Sequence, residues 1–275
     1  MCRRITRAIF AATAAGAAIA TFGLTAAGAA GAATGPVRVV NNHHFAGSGT
    51  AAAATGSALV LITRHFAGYH TASGNSHRFR YVATTLAVKA CQVPVAPRKN
   101  PTAHIELFGG TNRSADIDVL CNGGAPSVGY FDQKSATTHA SGAFRLSPRV
   151  GDHLRISISR NVSGHRDSFT ATNLRTGRSQ TVRVTTSAAV VYHHAFVGSA
   201  INRNADVRPL PATSKLLWTF RNSRVATYGG VSGTLLGPWT TVKEIDRTSA
   251  GVTVIYPGKL SSSGASLSTY LHAAP

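Results

Sequence analysis

The chain has 275 residues and is strongly basic, with 28 Lys and Arg against 9 Asp and Glu and a formal charge of +19 when histidine is neutral. Such a surface attracts anions, although a coding sequence rich in G and C yields the same Ala, Gly, Arg, Val and Thr excess. The basic residues are scattered singly and lack interleaved aromatics, which excludes nucleic acid as a dedicated ligand.

In chain order, the first element is a leader. Arg3, Arg4 and Arg7 form a basic head, Ile9 to Ala27 an apolar stretch, and Gly28 to Ala33 a run of small residues. This order predicts a secretory signal peptide over 1–33, cleaved after Ala30 or Ala33, and hence an extracellular protein with no membrane span once the signal is removed. Residues 34–57, including His43–His44 and a Gly/Ala/Ser/Thr segment, read as a flexible leader or pro-segment. Cys2 leaves with the signal. The remaining pair, Cys91 and Cys121, is expected to form one disulfide in an oxidising compartment.

From residue 58 to 275 the hydrophobic period is two. FRYVATTLAV (79–88), LRISISR (154–160), TVRVTT (181–186) and GVTVIYP (251–257) read as strands. Turn signals separate them at Pro148, Gly151–Asp152, Asn173 to Gly177, Gly229–Gly230, Gly237–Pro238 and Pro257–Gly258. LRTG marks a hairpin between SFTAT and SQTVRV, and Asp152 is expected to cap its turn. The pattern predicts an all-β domain of two packed antiparallel sheets, a jelly-roll sandwich, with a monomer as the default state.

Four segments in order resemble the glutamic peptidase (eqolisin) family of secreted concanavalin-A-like sandwiches. They are RHFAGYHTASG with FRYVATTLAV; AHIELFGG with CNGG and VGYFD; VGDHLRISISR with SFTATNLRTGRSQT; and GVTVIYPGKLSSSGASLSTY. The resemblance implies a Gln and a Glu on the concave face of one sheet, the Glu as general base toward water and the Gln stabilising the oxyanion. Neither is present at the matching positions. The stretch Ser114 to Cys121 offers Asp116 and Asp118, and YHHAFVGSA places Phe196 where the Glu belongs. A phenyl ring cannot take a proton from water, and a carboxylate beside a developing oxyanion raises the barrier.

The expectation is therefore a secreted, non-catalytic member of this fold, binding an anionic cell-surface polymer or polysaccharide through a basic concave face. The alternative is an active hydrolase, an acid endopeptidase or a glycosidase, with Glu106, Asp116 and Asp118 as replacement carboxylates. With so few acids, each carboxylate is expected to pair with an arginine instead. Trp218, Trp239 and His194 are the weaker candidates for ligand contact, with core packing the stronger reading of the tryptophans. No metal or other cofactor is implied, since no CxxC or HxxxH spacing occurs.

Overall fold

Residues that alternate apolar and polar become strands whose apolar side chains all face one way. The computed structural model describes residues 38–39, 59–63, 65–72, 78–90, 101–109, 113–122, 125–135, 138–161, 163, 165–186, 190–201, 215–247 and 253–272. The expected signal peptide over 1–33, nearly all of 34–57 with its His43–His44 doublet, Cys91 and the side chain of Cys121 lie outside them, and with these cysteines the expected disulfide.

Among the described residues the strands are, in chain order, β1 (Arg38–Val39), β2 (Leu59–Thr63), β3 (Phe66–Ala72), β4 (Phe79–Ala87), β5 (Thr102–Phe108), β6 (Ser114–Asn122), β7 (Ala125–Gln133), β8 (His139–Ala143) and β9 (His153–Asn161). They continue with β10 (Arg166–Asn173), β11 (Ser179–Thr185), β12 (His194–Ala200), β13 (Lys215–Thr227), β14 (Ser232–Gly233), β15 (Thr240–Arg247), β16 (Thr253–Pro257) and β17 (Leu267–Leu271). No helix occurs among these residues.

Hydrogen bonding orders one sheet as β8-β7-β6-β5-β12-β3-β15-β2-β1 and a second as β16-β17-β13-β4-β9-β10-β11, with β14 also on β13. The sheets are continuous at one edge, where β15 pairs β16 through a register shift between Asp246 and Arg247. The fold is thus the expected all-β sandwich. It departs from a purely antiparallel one in two places: β2 runs parallel to β15, and β1 parallel to β2. Strands so far apart in the chain as β2 and β15 are joined by no hairpin, so nothing local imposes an antiparallel turn.

The inner faces interdigitate. Ala103, Ile105, Leu107, Ala115, Ile117, Val119 and Val197 from the first sheet meet Val82, Leu86, Leu154, Ile156, Ile158, Phe169 and Phe220 from the second, all buried in one core. Trp218 and Trp239 belong to this core; Trp239 donates Nε1–H to the Leu235 carbonyl at 3.2 Å and packs edge-on against Phe79. Burial of both indoles leaves neither ring face open for stacking on a sugar. The LRTG hairpin forms as expected: β10 and β11 pair from Arg166↔Thr185 to Thr172↔Ser179, with Gly177 in the left-handed region (φ 68°). Asp152 accepts from the Arg149 amide (2.9 Å), from Asn173 Nδ2 (2.6 Å) and from Arg175, which locks the preceding turn to the hairpin. The Arg175 guanidinium and these donors hold its carboxyl far below the usual carboxylate range.

Candidate functional site

The same alternation that buries Ile105 and Leu107 turns His104, Glu106 and Phe108 to the outer face of β5. Antiparallel register then decides what meets them. On β6, Asp118 stands opposite His104 and Asp116 opposite Glu106. On β12, Gly198 stands opposite His104, Phe196 opposite Glu106 and His194 opposite Phe108. One strand further, β3 brings Gly68 beside Gly198 and His70 beside Phe196, and β15 brings Glu244 beside Gly68. Four carboxylates and three imidazoles from five strands thus share one sheet face.

They form two connected groups. His104 Nδ1–H donates to Asp118 Oδ1 at 2.9 Å, and Nε2–H reaches Glu106 Oε2 at 3.4 Å, so a doubly protonated ring serves two carboxylates at once. Asp118 also accepts from Thr102 Oγ1 at 2.8 Å. His104, Glu106 and Asp116 are 5 %, 9 % and 7 % exposed, which removes bulk-water screening from the cluster. Burial opposes the charge on His104, yet Asp118, Glu106 and Asp116 outweigh it and hold the imidazole well above its usual range. Asp116 moves the other way: burial, with the like charges of Asp118, Glu106 and Asp132, keeps it protonated well above the ordinary carboxylate range despite the His104 cation. Both groups of this pair thus hold their protons more tightly than they would in water.

The second group is His70 with Glu244, hydrogen-bonded through Nδ1, both almost fully buried. His194 stacks on Phe108 (centroids 4.6 Å apart, 13° between planes) and meets His70 edge-on at 5.4 Å. Burial and the neighbouring His70 and His193 push His194 down to about 3, so it stays neutral where an ordinary histidine would titrate.

Phe196 explains how the two groups are separated. Its ring lies over the paired glycines Gly68 and Gly198: a Cβ on either would fall 2.8 or 2.6 Å from the Phe196 ring tip. It also packs edge-on against Phe66 at 5.5 Å and near His104 at 5.8 Å. The Phe196 side chain is thus a hydrophobic cap over bare backbone.

Two sequence expectations fare differently here. Among the described residues the four carboxylates of this face do not pair with arginines: the ion pairs of Glu106, Asp118 and Glu244 run to histidines, His104 two residues before Glu106 and opposite Asp118, and His70 on the strand beside Glu244. Nor is this face basic among the described residues; the exposed arginines Arg155, Arg166, Arg183, Arg221 and Arg224 lie on strands of the other sheet. Glu106, Asp116 and Asp118 are brought together as the sequence suggested, whereas the His70–Glu244 pair was missed. The local signal for it was the alternation in TTVKEID, which puts Thr240, Val242 and Glu244 on one face, but only the β3–β15 register shows where that face lies.

His104, Asp116 and Asp118 each offer one ligand atom, all within 4.8 Å of one another, a spacing a cation could bridge. The donor set fits poorly as found. Both nitrogens of His104 already face carboxylates as donors, and metal binding would require the imidazole to lose a proton.

The fold is that of the glutamic peptidases. Scytalido-glutamic peptidase, solved with a transition-state analogue inhibitor, superposes with a TM-score of 0.56 at 15 % identity, covering 75 % of this chain and 97 % of that one. SCP-B, a member of the eqolisin family of peptidases solved in complex with the tripeptide Ala-Ile-His, gives a TM-score of 0.50 at 15 % identity over the same shares. No family model matches the sequence, and no curated protein does.

Proposed function

We propose that this protein is an acid-acting hydrolase of the glutamic-peptidase-like fold in which Glu106 and Asp116 have replaced the family's Glu and Gln. The observation that carries the reading is the cross-strand pair itself. Glu106 and Asp116 face each other on adjacent strands, with Cβ atoms about 5 Å apart in such a register. Their surroundings give them different tasks: Asp116 is kept as the neutral acid, and Glu106 accepts from the His104 cation. Acid–base hydrolysis requires one carboxyl group held protonated beside a second that takes a proton from water.

In this scheme Glu106 takes a proton from a water that attacks the carbonyl carbon of a peptide bond. Asp116 donates its O–H hydrogen bond to the oxygen that gains charge, a role its neutral form suits and its ionised form does not. The Glu106 proton then passes to the leaving amine. His104, fixed between Glu106 and Asp118, positions Glu106 and offsets the charge of the cluster. Peptide is the first substrate to test because both superposed structures are of peptidases.

A second reading, a non-catalytic relic that only binds, is favoured by Phe196 at the general-base position. Digestion of an acid-denatured protein by the purified chain separates the two. The hydrolase reading expects cleavage that fails as pH rises through the elevated pKa of Asp116, and that is lost at every pH in Asp116→Ala, which has no donor to offer the oxyanion. No cleavage by the wild-type protein leaves the relic.

A further inference from the structure

We infer that the outer face of the second sheet is a binding surface for an anionic polysaccharide, separate from the carboxylate face. Register builds this surface in rows across five strands. Arg221 on β13, Thr85 on β4, Arg155 on β9, Thr172 on β10 and Ser179 on β11 are successive cross-strand partners. The next row is Arg224, Ala83, Ser157, Thr170 and Thr181, and the next joins Ser159 and Ser168 to Arg183. A bulge in β13 makes the first two rows possible: Asn222 adopts a left-handed conformation (φ 54°), and Arg221 and Arg224 then partner Thr85 and Ala83, two residues apart on β4.

Three features identify the occupant. First, charge is segregated. Arg155, Arg183, Arg221 and Arg224 are exposed, and no carboxylate points outward from these five strands among the described residues, whereas six of the chain's 9 acids sit on strands of the opposite sheet. Second, the ground between the arginines is hydroxyl: Thr170 bonds Thr181 at 2.9 Å and Thr172 bonds Ser179 at 2.8 Å, a flat lattice of donors and acceptors suited to sugar hydroxyls. Third, Tyr81 is the one aromatic side chain in these rows, opposite Ser159 at their border, so the platform of stacked rings that single-stranded nucleic acid uses is missing. Arg221 and Arg155 are two strands apart, about 10 Å, which suits a chain with regularly spaced anionic groups.

The test is binding of the purified protein to size-defined polygalacturonate, with neutral dextran and single-stranded DNA in parallel, across a salt series. One variant carries Arg155→Ser, Arg221→Ser and Arg224→Ser, and a charge-matched control carries Lys89→Ser, Arg113→Ser and Lys259→Ser. The inference expects polygalacturonate affinity to fall with salt, and the first variant to bind at least about tenfold more weakly with a slope of log affinity on log salt flatter by about 2 to 3. The control should stay near wild type. Equal loss in both variants, equal binding of dextran, or tighter arginine-dependent binding of DNA would each overturn it. Circular dichroism of both variants verifies that the sandwich is intact.

Discussion

Replacing Asp132 with Asn should change how stability depends on pH, and the sign follows from the interior of the sandwich. Asp132 is 1 % exposed, and neither oxygen of its carboxylate has a hydrogen-bond partner among the described residues. Its neighbours are the buried Asp167 and Arg160, whose own pair spans 3.5 Å, while Tyr192 donates its hydroxyl to Asp167 at 2.8 Å. The positive charges of Lys134 and Arg160 only partly offset this crowding of two acids. Burial first, then repulsion from Asp167, raises Asp132 from 3.8 to about 7. A carboxyl with a raised folded-state pKa binds its proton more tightly folded than unfolded. Its contribution to stability is therefore fully present below about pH 4 and lost as pH rises toward 7. A shift of about three pH decades corresponds to about 4 kcal/mol between those limits, an upper figure for a buried group. The amide that Asp132→Asn buries carries a cost that does not vary with pH, so the slope is diagnostic. Urea unfolding of wild type and Asp132→Asn between about pH 4 and pH 8 should show the variant gaining steadily on the wild type, by several kcal/mol in all. A constant difference across that range would mean that Asp132 is not held protonated by its surroundings, and the reasoning would fail.

Other consequences are more local. His104→Gln leaves Glu106, Asp116 and Asp118 crowded without their cation and should cost about 3 kcal/mol or more at neutral pH, less in acid where the carboxyls protonate; thermal denaturation at the two pH values reads this. Gly198→Ala drives a methyl to 2.4 Å from the Ala67 carbonyl and 2.7 Å from Gly68 Cα, backbone atoms that cannot step aside, so melting should show a loss at the upper end of the roughly 1–3 kcal/mol typical of overpacking. If the face works by acid–base chemistry alone, dialysis against a chelator should leave hydrolysis unchanged, and loss restored by a divalent cation would assign His104, Asp116 and Asp118 to a metal instead.

The strands were legible where one face is apolar and the other polar. LRISISR needed only its alternation, since Leu154, Ile156 and Ile158 are fully buried while Arg155 is exposed. The Glu106, Asp116 and Asp118 grouping was legible for the same reason: two strands close together in the sequence place alternate residues on a common face. What alternation cannot supply is register between distant segments. Glu244 meets His70 across 174 residues of sequence, and nothing in either segment alone names the other. The pairing of acids with arginines was a matter of abundance; it holds for Asp152 and Asp167, but Glu106, Asp118 and Glu244 lie beside histidines on the first sheet, where position overruled it. Asp132 and Asp167 were unreadable because an inward-facing acid looks like any polar residue of an alternating strand until its partner strands are known.

The central claim is that Glu106 does the work from which Phe196 is barred. It is tested most directly by comparing kcat/KM of wild type and Glu106→Gln on one peptide at a fixed pH in the acid range, with folding confirmed by circular dichroism. The account predicts measurable cleavage by wild type and a fall of about 10²–10⁴ in the variant, the usual loss for removing a general base. Cleavage by Glu106→Gln at the wild-type rate would contradict it.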